Sequence, residues 1–248
     1  CDVGISVENG MDIAKESAQI ILLEKELSVL LEGVIIGRKI FTNMIKYLKM
    51  TASSNFGNVF SVVLASAFLP FLPMLPIQIL FQNLLYDISQ ISIPWDNVDT
   101  EDILKPKNWS AESVGKFMVY IGPLSSIFDI ITFLVMFYIF KANSPATQAL
   151  FHTGWFIESI LSQTLIIHLI RTRKIPFIES NANIKVILLT SAIMIFALFV
   201  PYSKINGTLG FVPMPISYFI WVVLILTGYF FTIIFAKKYF IKKFNSWL

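Results

Sequence analysis

Between Thr51 and Pro94 the chain runs through two membrane-length segments joined by a bend that carries Pro70, Pro73 and Pro76, with amides and one carboxylate at depth. Asn55 and Asn58 stand at i and i+3, and Asn83, Asp87 and Gln90 at i, i+4 and i+7, so each set lines one face of its own helix. In an antiparallel hairpin those two faces can meet near mid-bilayer. An ionisable group there costs about 2.5 to 3.5 kcal/mol on insertion scales, which makes Asp87 a functional-site hypothesis by default. Amide carbonyls and carboxylates are hard oxygen donors, suited to Mg²⁺ or Ca²⁺ rather than to soft metals. The plainer alternative is that the amides only join helices by hydrogen bonds.

The rest of the composition agrees with a lipid environment. Hydrophobic residues make up 56% of the 248 and charged residues only 14%, too apolar a balance for an ordinary soluble domain. The single cysteine, Cys1, excludes an intrachain disulfide framework and any CxxC metal or redox site. No Gly-rich phosphate loop, HExxH motif or Ser/His/Asp arrangement is visible, so the sequence offers no nucleotide site and no catalytic residue, and no nucleic-acid partner is expected. No initiator methionine precedes Cys1, and Val3 to Val7 reads like the interior of a fold; the expectation is a piece of a longer polypeptide without a signal peptide.

In chain order, residues 1–26 read as soluble: a strand over Val3 to Val7, a turn at Glu8 to Gly10, a short helix from Met11 to Ala18 and a second strand from Gln19 to Leu23. This order suggests the tail of a parallel α/β domain. From Leu27 the apolar positions recur at helical spacing (Leu27, Leu30, Leu31, Val34, Phe41, Met44, Ile45, Leu48) among Arg38, Lys39, Lys46 and Lys49, and no proline interrupts the run before Pro70. A helix of that length is about 60 Å, against a hydrocarbon core of about 30 Å, so residues 27–49 are expected to stand outside the membrane as a stalk. A break near Gly33 or Gly37 is the alternative.

The expected fold class is mainly α: a polytopic helix bundle over residues 50–248 with six transmembrane helices, at about 50–69, 77–93, 117–140, 152–170, 184–200 and 216–236, behind the long stalk and the small α/β piece. The second span is polar. Counting it as a crossing puts Lys105, Lys107, Lys116, the cluster Arg171, Arg173, Lys174 and Lys185, and the terminal Lys237, Lys238, Lys242 and Lys243 on the stalk's side, with only Lys141 and Lys204 opposite. Leaving it out would place both basic clusters on the outer face, against the positive-inside rule. Both ends are therefore expected to be cytoplasmic.

Two further carboxylates lie within spans. Glu158, with Ser162 one turn on, either completes the cation site or is hydrogen-bonded between helices; Asp129 reads as structural or proton-linked before it reads as a ligand. His152 and His168 suit satisfied polar contacts, and Trp155, Trp221, Tyr218 and Phe219 read as lipid-facing or interfacial anchors.

The order VGISVENGMDIAKESAQIILL, the stalk EGVIIGRKIFTNMIKYLKMTASSNFGNV and the hairpin PIQILFQNLLYD resembles the carboxy-terminal third of P-type ATPases. The runs ASSNFGNVFSVVLASAFLPFLPMLPIQIL, ISIPWDNVD and GWFIESILSQTLIIHLIRTRKIPFI resemble the bacterial magnesium-transporting branch (type IIIB), and the likeness covers essentially the whole chain. The resemblance implies an ATP-driven pump of the bacterial inner membrane that forms an aspartyl-phosphate and brings Mg²⁺ into the cytoplasm. Residues 1–26 would then end the phosphorylation domain. ATP, catalytic Mg²⁺ and the DKTGT and TGDGxND motifs would belong to a missing amino-terminal part, together with four more membrane helices, and the piece alone should be inactive. The family pattern carries Asn55, Asn58, Asn83 and Asp87 over as the residues that hold the transported ion; Glu158 and Asp129 remain lesser candidates on their own positions within the spans. Calcium pumps of the superfamily have a glutamate where Asn58 stands, a departure that puts a calcium cargo in doubt. A Ca²⁺- or H⁺-transporting relative is the alternative within the family, and a six-span channel or secondary carrier the alternative outside it; oligomeric state is not legible.

Overall fold

The computed structural model describes residues 2–24, 26–245 and 247, with residue 27 as backbone only. Cys1, Lys25 and the side chain of Leu27 lie outside the described residues. Strands β1 (Ile5–Val7) and β2 (Ile20–Leu22) flank a short helix α1 (Asp12–Ser17) and pair in parallel, Ile5 opposite Ile20. Ile5, Ile20 and Ile21 remain exposed on this two-stranded ribbon, which is too small to bury either face.

One helix, α2 (Leu27–Phe68), follows, 42 residues long, about 63 Å at 1.5 Å per residue. Gly33 and Gly37 do not break it; a Cβ at either would meet nothing within 4 Å, so both simply face open space. The helix stops because Pro70 drives Leu69 out of the α region, to φ −87° and ψ 140°. Helix α3 (Pro76–Gln90) begins with Pro76 in its first turn, where a missing N–H costs nothing, and the Gln78 side chain accepts from Leu75 N at 2.8 Å to close the entry. At 15 residues α3 is about 22 Å long, shorter than the hydrocarbon core of about 30 Å.

After the short α4 (Thr100–Leu104) come α5 (Ala111–Leu134), which continues as a π-helical stretch to Ile139, then α6 (Gln148–Ile170), α7 (Ile184–Phe199), the four-residue α8 (Asn206–Leu209) and α9 (Ile216–Phe244). Among the described residues four helical stretches are long and apolar enough to cross a membrane: Ala111–Ile139, Gln148–Ile170, Ile184–Tyr202 and Ile216–Phe244. They match the four later spans expected from sequence.

Helix α6 is the axis of the bundle, buried on nearly every side against α3, α5, α7 and α9. Helices α2 and α5 form the most extensive contact, and small residues make it possible. A Cβ on Gly57 would stand 2.8 Å from Gly122 O, and one on Gly122 3.0 Å from Ser53 O, while Ser126 Oγ donates to Gly57 O at 2.9 Å. By contrast α2 and α3 meet only loosely, and α3 packs mainly on α6 and α7. The two halves of the expected hairpin are therefore held by a third helix rather than by each other.

Two aromatic anchors were assigned wrongly. Trp155 and Tyr218 are buried, not lipid-facing, because each polar tip has a partner inside: Trp155 Nε1 donates to Asp129 Oδ1 at 2.8 Å, and Tyr218 Oη to Gly154 O at 2.6 Å. Trp221 and Phe219 are half-buried. His152 and His168 make the polar contacts expected, with Leu72 O at 2.7 Å and Thr190 Oγ1 at 2.9 Å.

The carboxyl end of α6 is closed from α9. Lys237 Nζ donates to Leu169 O, Thr172 O and Lys174 O at 2.9, 3.1 and 2.8 Å, a cation set on carbonyls that the helix itself leaves unpaired. Trp247 is buried beside it among Phe117 and Phe240, its indole donating to Ile170 O at 3.0 Å and its own carbonyl accepting from Lys49 Nζ at 2.8 Å. Burial brings the Lys49 ammonium down to about 8, helped by the charge of Lys107. An amine whose folded pKa lies below its unfolded 10.5 weakens the fold fully below pH 8, and that penalty is relieved as pH rises from about 8 toward 10.5. Thermal unfolding of the full-length protein should therefore gain on that of a Lys49→Met variant between about pH 7.5 and pH 9.5. A gap that stays constant across this range would contradict the assignment.

Candidate cation site

Thr51 Oγ1 donates to Gln90 Oε1 at 3.0 Å, which sets the register of α2 against α3. Moving up both helices from that bond, from 51 to 58 and from 90 to 83, climbs about 10 Å on each at 1.5 Å per residue. Asn58 and Asn83 thus stand at the same height, and Asp87 stands level with Ser54, one residue from Asn55.

Side-chain exposure separates these four. Asn55 and Asp87 are exposed, and Asn58 and Asn83 are half-buried. None of them is hydrogen-bonded to another among the described residues. Asp87 lines a groove of about 590 Å³ between the two helices, with Met44, Tyr47 and Gln90 among its other walls. Asn58 turns the other way and accepts from Gln163 Nε2 of α6 at 2.9 Å.

Helix α6 therefore carries the polar contacts that α2 and α3 do not make directly. Gln163 Nε2 also reaches Ser159 Oγ at 2.8 Å, and Gln82 Nε2 of α3 donates to the same oxygen at 2.7 Å. The link Asn58, Gln163, Ser159, Gln82 ties α2 to α3 through α6. The sequence alone gave Gln82 and Gln163 no role. The signal was there: α3 has two polar stripes, Asn83, Asp87 and Gln90 on one and Gln78, Gln82 and Ser89 on the other, and the second is buried throughout, whereas only Gln90 of the first is.

A second polar group lies one helix face away, between α2, α5 and α6. Asp129 accepts from Ser61 Oγ at 2.5 Å and from Trp155 Nε1 at 2.8 Å, so its two oxygens are tied to neighbours. Glu158 is fully buried and faces Asp129, Thr132 and Ser162, yet neither of its oxygens reaches any of them with hydrogen-bond geometry. Among the described residues no three His, Cys, Asp or Glu side chains gather as a metal group. A cation held between α2 and α3 would depend on amide oxygens around the single carboxylate of Asp87, which is chemistry for a hard ion.

Below the groove the loop after α3 is locked in place. The Asp96 carboxylate is wholly buried and takes Lys46 Nζ of α2 at 2.8 Å, Arg171 Nε from the end of α6 at 2.7 Å and Asn183 N at 3.2 Å. Asn43 Nδ2 adds bonds to Pro94 O and Asp96 O at 3.1 and 2.9 Å. Burial lowers the Lys46 ammonium against the pull of Asp96. Next to it burial opposes the charge of Asp99, but the hydroxyls of Thr172 and Ser180, with Arg171 and Lys174 nearby, hold its carboxyl below the usual range. Nothing in the hydrophobic pattern pointed to Asp96, because a single acid in a loop has no periodicity.

The described residues thus form a helix bundle with a buried seam of amides between α2, α3 and α6 and an ion-paired cluster around Asp96. Residues 71–240 match the family "Cation transporting ATPase, C-terminus", and the chain belongs to it. It is 57% identical over 246 residues to "Magnesium-transporting ATPase, P-type 1" of Salmonella typhimurium, covering 99% of this chain and 27% of that protein. It is 58% identical over 228 residues to the protein of the same name from Escherichia coli K12, covering 92% of this chain and 25% of that one. Identity to the "Calcium-transporting ATPase" of Bacillus subtilis is 26% over 172 residues, 66% of this chain and 19% of that protein. The chain spans about a quarter of the length of the magnesium-transporting relatives it matches.

Proposed function

We propose that the full-length protein is an ATP-driven pump that carries Mg²⁺ across the bacterial inner membrane into the cytoplasm, and that this chain supplies its ion-binding hairpin and carboxy-terminal helices. The observation that carries this reading is the 57% identity, over nearly the whole chain, to a magnesium-transporting P-type ATPase. On this reading ATP and the catalytic Mg²⁺ are bound by the amino-terminal part, residues 1–26 end the phosphorylation domain, and residues 27–49 of α2 stand in the cytoplasm as the stalk. The upper half of α2 and the short, polar α3 are then two further crossings, making six with both ends cytoplasmic, in keeping with the distribution of lysine and arginine.

The transported ion is held by Asp87 with Asn55, Asn58 and Asn83. Their heights along the paired helices support this, and so does the exposure of Asp87: a carboxylate at membrane depth needs a partner, and an exposed one leaves room for the cation and for the rest of the polypeptide. Glu158 borders the site from α6, and Asp129, already tied to Ser61 and Trp155, serves to hold helices together. One charge and several amides suit an ion that surrenders its waters reluctantly, as Mg²⁺ does. Full-length protein in lipid vesicles, with its nucleotide side outermost, is expected to move Mg²⁺ out of the lumen on addition of ATP, and Ca²⁺ poorly. Faster Ca²⁺ or H⁺ movement under the same conditions would reassign the cargo.

A further inference from the structure

The amides of Gln82 and Gln163 end in oxygens that no group among the described residues uses. Both side chains are buried, 4% and 5% exposed, and both nitrogens are committed to Ser159 Oγ, Gln163 also to Asn58 Oδ1. Among the described residues neither Gln82 Oε1 nor Gln163 Oε1 has a hydrogen-bond donor. With the Gln163 nitrogen facing Asn58 Oδ1, the oxygen is the end left over. A buried carbonyl oxygen without a donor is costly, and two of them on facing helices beside a half-buried asparagine call for a shared positive partner. No described lysine or arginine side chain donates to either oxygen. A hard cation satisfies both, because carbonyl oxygens are ligands that Mg²⁺ and Ca²⁺ accept.

We infer that Gln82 Oε1 and Gln163 Oε1 are ligands to the transported divalent cation on the α6 side of the hairpin, with Ser159 Oγ as the fixed post that aims both amides. This rests on the pump reading above and adds α6 to it through Gln163. It also gives the loose packing of α2 on α3 a use: the gap is bridged by side chains of α6 whose free ends are oxygens. Ser159 is a positioning residue, since its hydroxyl oxygen already accepts two N–H groups.

The test uses the full-length protein in vesicles of phosphatidylethanolamine and phosphatidylglycerol, with Mg·ATP fixed outside and the rate measured against luminal Mg²⁺. Gln82→Met and Gln163→Met keep the length of the side chain and remove the oxygen, and each should raise the half-saturating Mg²⁺ concentration by about tenfold or more. Gln82→Glu keeps an oxygen, adds charge and can accept from the Ser159 hydroxyl, and it should lower the value by at least about threefold. Methionine variants within about twofold of the unaltered protein overturn the inference, as does a Gln82→Glu variant that leaves the value unmoved or raises it. If a methionine variant fails to fold, Gln82→Glu decides alone. Asp87→Asn, measured alongside, separates the two levels: transport lost there with the glutamine variants unchanged removes only this inference, and transport retained there removes the site reading beneath it.

Discussion

Replacing Asp87 with asparagine in the full-length protein should raise the half-saturating Mg²⁺ concentration for transport by about 100-fold, since stripping the charge from one partner of a desolvated ionic contact costs about 2 to 5 kcal/mol. The substitution leaves shape, volume and one oxygen in place, so the loss reports charge. Asp87→Ala removes the oxygen as well and should be worse. Misfolding is a poor explanation for such a loss, because asparagine keeps the shape of Asp87 and Asp87 bonds to none of its neighbours among the described residues. Substitutions at positions of that kind usually change stability by no more than about 0.5 kcal/mol. Thermal unfolding of the variant should therefore match that of the parent while transport does not. If both are unchanged, the cation is held elsewhere.

Asp96→Ala should have the opposite signature, a large loss of stability from a residue that touches no cargo. Its carboxylate neutralises Lys46 and Arg171, whose side chains are each only 1% exposed. Removing it leaves two buried cations facing each other, and breaking a buried pair in this way costs about 3 to 5 kcal/mol. Yield and thermal midpoint of the full-length protein should both fall sharply. Adding Lys46→Met to Asp96→Ala should recover part of the loss, because one orphaned charge is then gone; this non-additivity is what distinguishes an electrostatic hub from simple packing. The hub also bears on transport. It ties the lower end of α3 and the end of α6 to one point on α2, so a displacement of α2 reaches both at once.

The sequence spoke clearly where a rule is local. Prolines marked the turn at Pro70 to Pro76, helical spacing gave α2 its unbroken length, and apolar runs gave the four later spans, although α9 runs on to Phe244 through a lysine-rich end whose first member, Lys237, turns inward to cap α6. It was silent where the outcome depends on which helix stands opposite. The hairpin expected to close on itself is instead wedged by α6, so Asn58 bonds to Gln163 rather than facing α3 directly. Trp155 and Tyr218 were misplaced for the same reason: an aromatic near a helix end is an interfacial anchor only when no acceptor waits inside, and Asp129 and Gly154 O supply those acceptors. Spacing alone put residues 55, 58, 83 and 87 forward as candidates, but it could not single out Gln82 and Gln163, whose place in the seam depends on the bonds their nitrogens make to Ser159 and Asn58.

The most direct test of the whole account is a high-resolution structure of the full-length protein with Mg²⁺ bound and ATP hydrolysis blocked. The account predicts a single ion between α2 and α3 with Asp87 as the charged ligand, oxygen distances of about 2.0 to 2.1 Å, and several retained waters. An ion found away from this hairpin, or Asp87 turned toward lipid with the ion in place, would contradict it.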